Sequence, residues 1–356
     1  MFYGLTYEVL VNQLAGMQVP TVHADTIFRH AYKFLANRWS DLPGLPKHLP
    51  EALDESWPLS IPQATQILES KYDGSVKFLL KMADGDEVEA VLMPEERRLT
   101  LCVSSQVGCR QGCTFCHTGK MGLKRNLESH EIVGQVVLAN QFIRGRDDWR
   151  QKWRVPDDAK VGNIVFMGMG EPLDNCEELV TTINVLSHPL GLNIPLKRIS
   201  VSTAGHLEGL RTLHQSIPKV PIALSLHATE SRKRSRLMPI NRRFPFEDVL
   251  SYLKDHFESF YPKGFILIQY TLIQGVNDSE EDALRLCSLL EGAPVKVNII
   301  PLNEIDPSLF RNPEPENLVR FRDIVHQAGI RVMIRYSKGQ DIAAACGQLV
   351  VKESIS

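Results

Sequence analysis

The sequence predicts an α/β fold: a partial, open (β/α)6 barrel preceded by a small helical domain and a short β-hairpin extension. Three observations carry this. From residue 98 onward, short apolar runs alternate with amphipathic stretches, the pattern of a parallel sheet wound one way. The alternation approaches the roughly 250 residues of a full eight-unit barrel, but only six or seven strands can be counted. Upstream of residue 98 the alternation is absent. A doubly wound sheet is the second choice.

In chain order, residues 1–60 read as helical, with Ile27, Ala31, Phe34 and Leu35 at helical spacing. The stretch Asp41-Leu-Pro-Gly-Leu-Pro-Lys-His-Leu-Pro50 breaks that pattern. Residues 61–97 form a hairpin-like extension: Val76 to Met82, a turn at Asp84-Gly85, then Val88 to Met93. Residues 98–356 form the barrel. Its predicted strands are Leu99–Val103, Ile164–Met167, Ile199–Val201, Val220–Leu226, Phe265–Leu272, Val295–Ile300 and Ile330–Ile334. Its predicted helices are 129–143, 176–187, 206–214, 246–260, 279–290 and 316–328. In either α/β architecture chemistry belongs at the carboxyl ends of the strands. Polar or glycine-rich pieces fall there: Ser104 onward, Gly168-Met-Gly-Glu171, Ser202-Thr-Ala-Gly205, Ser225-Leu-His227 and Pro301-Leu-Asn303.

Composition excludes several classes. Hydrophobic residues make up 43% of the 356 and charged residues 23%, which argues against disorder. No apolar run approaches the roughly 18 residues that span a bilayer. The N-terminus has no basic region ahead of an apolar one, so no secretion signal is expected and the chain reads as cytoplasmic. Forty basic residues against 42 acidic give a net charge of −2, which carries no global sign of nucleic-acid binding. Seven cysteines exclude a complete disulfide framework; in such a chain cysteines more often mean metal or catalysis.

The most specific feature is Cys109-Arg-Gln-Gly-Cys113-Thr-Phe-Cys116, three thiols in one loop directly after a strand. Thiolates at such spacing converge on a soft metal centre. A cubane iron–sulfur cluster usually takes four cysteines, so three leave one iron open for a small molecule. A structural zinc would want a closed tetrahedral set, with His117 as a fourth ligand.

C-x3-C-x2-C after a first barrel strand resembles the signature of radical S-adenosylmethionine (SAM) enzymes. A narrower resemblance covers nearly the whole chain. Cys102-Val-Ser-Ser-Gln-Val-Gly-Cys109, Gly168-Met-Gly-Glu-Pro172, Val201-Ser-Thr203, Ser225-Leu-His227, Met238-Pro-Ile-Asn241, Gly275-Val-Asn277 and Ala344-Ala-Cys-Gly-Gln-Leu349 are similar to the RlmN/Cfr family. That family methylates an adenine carbon of large-subunit ribosomal RNA and, in the C2 branch, of tRNA. The resemblance implies a [4Fe-4S] cluster on Cys109, Cys113 and Cys116, two SAM molecules per turnover and an electron donor such as flavodoxin. It also implies a monomer, no membrane association, and RNA contact by the N-terminal domain.

The implied chemistry runs through two further cysteines. An aromatic C–H carbon is not nucleophilic, so a radical route replaces direct methyl transfer. Cys346 is first methylated, its S-methyl group loses a hydrogen atom to a deoxyadenosyl radical, and the resulting carbon radical adds to adenine. Glu89 takes the ring proton, and Cys102 then frees Cys346 by forming a disulfide that is later reduced. SAM contacts are implied at Gly170, Glu171, Ser202, Ser225, Leu226, His227 and Asn303. On pattern alone Glu89 is an ordinary outward-pointing hairpin residue, Cys102 a buried core thiol, and Asp341-Ile-Ala-Ala-Ala-Cys-Gly347 a mobile small-residue loop. Cys176 and Cys287, inside predicted helices, read as bystanders.

Local charge is biased although the total is not. Residues 105–127 and 231–243 are basic without acids, and 144–154 combine five basic groups with Trp149 and Trp153. Such patches supply phosphate affinity, and aromatics stack on splayed bases. Pro172 resembles the C2 branch. Tyr336-Ser-Lys-Gly339 and 303–316 depart from both branches, so C8 methylation remains an alternative. A non-catalytic zinc or iron–sulfur RNA-binding module is the alternative of another class.

Overall fold

In the computed structural model the described residues are 1–17, 19–47, 49–95, 98–257, 264–306 and 308–351. The chain opens with three helices, α1 (Tyr7–Gly16), α2 (Val22–Phe34) and α3 (Leu49–Ser56). Thr6 caps α1, its hydroxyl accepting from the Val9 amide at 3.4 Å. Helix α2 buries Ile27, Phe28, Ala31 and Tyr32 along one face and stops where Leu35 turns left-handed, φ 55°. Phe2 lies among Tyr3, Phe28, Tyr32 and Trp39, the last edge-on at 4.7 Å.

Next comes an antiparallel meander, β1 (Gln63–Glu69), β2 (Val76–Lys81) and β3 (Glu87–Glu95), joined antiparallel to β4 (Arg98–Cys102). The predicted hairpin is therefore β2–β3, but it is built into the main sheet. Strand β1 was not expected: it is an edge strand with no buried residue, and its apolar residues Ala64, Ile67 and Leu68 do not alternate. A separate two-stranded ribbon, β5 (Gln106–Cys109) and β6 (Gly122–Asn126), brackets the cysteine loop and the short helix α4 (His117–Met121). Its crossing requires glycine: at Gly108, φ +76°, a Cβ would sit 1.9 Å from the Gly122 carbonyl oxygen.

The remainder alternates strand and helix. Helices α5 (Ser129–Gly145) and α6 (Asp147–Lys152) lead to β7 (Val161–Phe166), and α7 (Cys176–Ser187) to β8 (Ile199–Thr203). Then follow α8 (Leu207–Ser216), β9 (Ile222–Ser225), α9 (Ser231–Leu237), α10 (Phe246–Asp255) and β10 (Ile266–Leu272). The chain continues through α11 (Glu280–Leu290), β11 (Val295–Pro301), α12 (Pro315–Gln327) and β12 (Arg331–Ile334). All seven predicted strands and all six predicted helices are present. Residues 258–260 of the helix expected over 246–260 lie outside the described residues.

The ten-stranded sheet runs β1-β2-β3-β4-β7-β8-β9-β10-β11-β12, with β4 and β7 to β12 mutually parallel. Spatial order follows chain order, so there is no switch point and the doubly wound alternative is set aside. The order is not closed into a ring, yet the sheet curls. Laid flat, β4 and β12 would stand roughly 29 Å apart at normal strand spacing. Instead Cys102 from β4 and Arg335 just beyond β12 line one cavity. The central parallel strand β10 is buried on both faces, with only Leu267 not fully buried, whereas the edge strand β12 has no buried residue. Among the described residues no helix is long and apolar enough to cross a membrane.

Candidate active site

Two adjoining cavities open at the carboxyl ends of the parallel strands, and Cys346 lies between them, lining both. The first is walled by Cys109, Cys113 and Cys116 on one side and by the ends of β7 to β11 on the other. Among the described residues no three Cys, His, Asp or Glu side chains gather closely enough to hold a single metal ion. Three soft thiols spread around one cavity suit a multi-iron cluster, which takes each thiolate on a different iron. Burial pushes the Cys109 thiol up to about 12, and the neighbouring Cys116, Glu171 and Asp174 charges add to this. Burial raises the Cys113 thiol as well, so both stay protonated until metal displaces the proton.

The strand ends are built from buried, fully engaged polar groups. Gly170, φ +106°, packs against the Gln106 side chain so closely that a Cβ would lie 2.7 Å from it. The Gln106 carboxamide oxygen accepts from the Glu171 amide at 2.8 Å. Glu171 is buried; its carboxylate accepts from the Ala204 amide at 2.7 Å and the Leu173 amide at 3.2 Å. Desolvation raises its pKa to about 7 against those hydrogen bonds. The Ser202 and Ser225 hydroxyls both donate to the Gln269 side-chain oxygen at 3.3 Å. His227 takes the left-handed conformation, φ 56°, and its Nδ1 accepts from the Thr271 amide at 2.8 Å. That bond fixes the proton on Nε2, and burial holds the ring neutral with a pKa lowered to about 3. Gly170, Glu171, Ser202, Ser225, His227 and Asn303 all line the first cavity. Leu226 does not: its side chain is in the core, and its carbonyl accepts from Arg234 Nε at 2.9 Å.

The second cavity is lined by Cys102, Met93, Met167, Gln269, Cys346 and the segment Arg335 to Lys338. Cys102 and Cys346, far apart in sequence, therefore meet here. Burial pushes Cys102 up to about 12, with the Cys346 charge adding and Arg335 opposing. Cys346 is exposed only in that it faces these cavities; desolvation pushes it up to about 11, the Cys116 charge adds, and Arg335 opposes. All seven cysteines are free thiols.

The Cys346 loop, expected to be mobile, is pinned on both sides. The Cys346 carbonyl accepts from Asn303 Nδ2 at 3.0 Å, and the Gly347 carbonyl from the His117 amide at 2.8 Å. Leu349 accepts from the Thr118 hydroxyl at 2.7 Å. Upstream, the Gly339 amide donates to Asp73 Oδ2 at 2.8 Å. Glu89 does not point outward as the hairpin pattern suggests. Successive residues of β3 from Val88 to Leu92 are all buried, so both its faces are covered there, and Glu89 is 4% exposed. It pairs with Lys77 at 2.8 Å and accepts from the Val350 amide at 2.9 Å. It lines neither cavity, but Val350 follows Leu349, which lines both.

Residues 103–287, just over half the chain, match the Radical SAM superfamily. A dual-specificity RNA methyltransferase RlmN of Syntrophotalea carbinolica is 40% identical, over 99% of this chain and 90% of its own. One from Desulfotalea psychrophila is 42% identical over 81% and 78%. The crystal structure of a radical SAM methyltransferase from Sphaerobacter thermophilus superposes with a TM-score of 0.89 at 38% identity, covering 98% of both chains. This chain belongs to the RlmN family of radical SAM RNA methyltransferases. Membership sets aside the non-catalytic RNA-binding module. Membership in the Radical SAM superfamily implies an iron–sulfur cluster and SAM.

Three RlmN site features escaped the sequence reading. Gln269 sits inside an apolar strand, where one buried polar residue among Ile, Leu and Tyr was the available signal. Arg234 was read as a surface base, but it is fully buried and donates to the Leu226, Ser225 and Ala204 carbonyls and to Asn241 Oδ1. Lys77 carried no local signal at all.

The basic segments also need correction. Lys124 is bound to Asp86, and Arg125 to Asp84, Asp86 and Glu131. Arg110 meets Asp174 at 3.5 Å. Lys233 pairs with Asp282 and Glu230, and Arg243 with Glu208. In 144–154, Trp149 is a core residue donating to the Gly74 carbonyl, Trp153 packs on Gly74, and Arg146 and Arg150 are ion-paired. The acids that neutralise 105–127 and 231–243 lie outside those segments, whereas in 144–154 Asp147 and Asp148 share the task with Glu69. Lys120, Arg232, Arg236 and Arg242 remain exposed and without an ion pair among the described residues. Cys176 and Cys287 line neither of the two cavities, consistent with bystanders.

Proposed function

We propose that this protein methylates C2 of an adenine in 23S rRNA and in tRNA, within a partial (β/α)6 barrel. The observation that carries this is the placement of Cys346 between a cavity ringed by three cysteines and a second holding Cys102. Cys109, Cys113 and Cys116 would hold a [4Fe-4S] cluster, and the strand-end groups from Gly170 to Asn303 would hold SAM. When bound, these supply the one-electron chemistry that an unactivated aromatic carbon requires.

The chain's own residues then have separate tasks. Cys346 is the nucleophile that accepts a methyl group and, through it, becomes covalently linked to adenine. Burial keeps its thiol poorly ionised, and a positive charge brought into the cavity favours the thiolate. Glu89 accepts the proton leaving the ring carbon; burial raises its pKa while Lys77 opposes that. Cys102 attacks the Cys346 sulfur, and the pair is closed as a disulfide while the methylated base departs; a reductant later returns two thiols. Two SAM molecules are consumed per turnover, and a flavodoxin-type donor supplies the electron.

The second cavity suits a flipped adenine: its walls are Val91, Met93, Val165 and Ile300, with Arg335, Tyr336 and Lys338 at the rim. Arg232, Arg236, Arg242, Lys120 and the N-terminal helices form the RNA-facing surface. The boundaries 1–60, 61–97 and 98–356 are kept as functional divisions. Nucleoside mass spectrometry of RNA from cells with and without the gene tests the reading. Gene-dependent 2-methyladenosine in both rRNA and tRNA is expected; gene-dependent 8-methyladenosine, or no change, overturns it.

A further inference from the structure

Lys77 is part of no motif and lines neither cavity, yet it is buried at the junction of the site. Its ammonium touches two groups at once: Glu89 Oε1 at 2.8 Å and the Ala343 carbonyl oxygen at 3.2 Å. The other Glu89 oxygen, Oε2, accepts from the Val350 amide at 2.9 Å. Ala343 lies three residues before Cys346 and Val350 four residues after it. One buried ion pair on β2 and β3 therefore grips both flanks of the loop that carries the nucleophile. Ala343 itself has φ 49°, a left-handed conformation costly for a residue with a Cβ, which must be held from outside.

We propose that Lys77 is a positioning residue that ties the Cys346 loop to the charge of Glu89, so that the loop is gripped while Glu89 is a carboxylate and loosened once Glu89 is neutral. This rests on the reading of Glu89 as the proton acceptor. The physical reason is charge. A carboxylate accepts from an ammonium and an amide through strong, charge-assisted bonds. A neutral carboxyl keeps weaker ones and leaves a buried ammonium without its counter-charge. Taking the ring proton thus coincides with releasing both flanks of Cys346, which frees its sulfur to meet Cys102. The order matters: adduct resolution before proton removal would waste the cofactor, and the grip delays it.

Hydrogen exchange of the full-length, cluster-loaded protein tests this through peptides covering 341–351. Lys77→Met and Glu89→Gln each raise exchange there by about tenfold, the mark of a local opening made easier. Lys77→Arg, which keeps the charge and reach, retains native protection. Peptides covering 199–225 are unchanged in all three and report an intact barrel. Since neither side chain lines the RNA-facing cavity, Lys77→Met lowers kcat and leaves KM for RNA unchanged. If Lys77→Met unfolds, Glu89→Gln, which keeps the volume, carries the comparison alone. Native protection of 341–351 in Glu89→Gln overturns the proposal, as does equal loss in Lys77→Arg and Lys77→Met. The two readings separate cleanly. Normal methylation by Glu89→Gln removes Glu89 as the base, whereas lost methylation with native protection removes only the grip.

Discussion

The two cavities on either side of Cys346 are built differently. The first is made of strand ends whose polar groups already satisfy one another: Gln269 with Ser202 and Ser225, Glu171 with two backbone amides, His227 with Thr271. Such a wall is rigid and pre-formed, as a cofactor site must be. The second is walled by β3, by Cys102 and by the irregular segment 335–338, with Tyr336 67% exposed at its rim. The difference is one of build: the first wall is fixed by its own hydrogen bonds, whereas the second includes an exposed, irregular segment, and in the function proposed above the first positions a small cofactor while the second admits a base carried on a large RNA.

Substitutions break that comparison in a graded way. Cys346 belongs to both cavities, so Cys346→Ala has the largest effect, a loss of methylation on the order of 10^4-fold or more in single-turnover assays. Alanine at any of Cys109, Cys113 and Cys116 removes the first cavity's metal, read as loss of iron and of visible absorbance with the fold retained. Cys102→Ala acts on the second cavity alone: multiple turnover stops, and an RNA–protein adduct resistant to denaturation accumulates on gels. Methylated RNA released at the normal rate from Cys102→Ala would show that resolution uses another group.

A pH experiment probes the first cavity without substrate. Glu171 has a folded pKa of about 7, above its usual 4.5, so the folded state holds its proton more tightly than the unfolded chain. Its contribution is therefore fully present below the unfolded pKa and is lost as pH rises to about 7, a loss of about 3 kcal/mol. In metal-free protein the melting temperature should fall over that window, and Glu171→Gln should flatten the slope. The smallest effect sharpens the second cavity. Tyr336→Ala should weaken RNA binding by about fivefold, the low end of a base-stacking contact, with cluster content unchanged. An equal loss of cluster would place Tyr336 on the rigid side instead.

Much of this was legible in the sequence because it is local. The parallel strands are continuous apolar runs, the helices keep their period, and three cysteines within eight residues announce themselves. What was missed is what depends on distant partners. Strand β1 is an edge with no buried residue and no apolar alternation, so only its pairing with β2 reveals it. The ribbon β5–β6 has no apolar alternation and is held by a glycine crossing. Arg234 and Lys124 looked like RNA contacts because their neighbours in sequence include no acid, whereas their partners lie on other elements.

By itself the sequence determined the alternation of strand and helix, the three-cysteine loop and the family, since periodicity and spacing are properties of contiguous residues. Only the tertiary structure decided that the sheet curls without closing and that Cys102 and Cys346 share one cavity. It also decided that Glu89 is buried against Lys77, and that the loop around Cys346 is gripped from both sides. These are contacts between residues up to 266 positions apart. Their energy comes from burial and charge pairing that no local pattern encodes, because they exist only once the curl of the sheet has brought its two ends together.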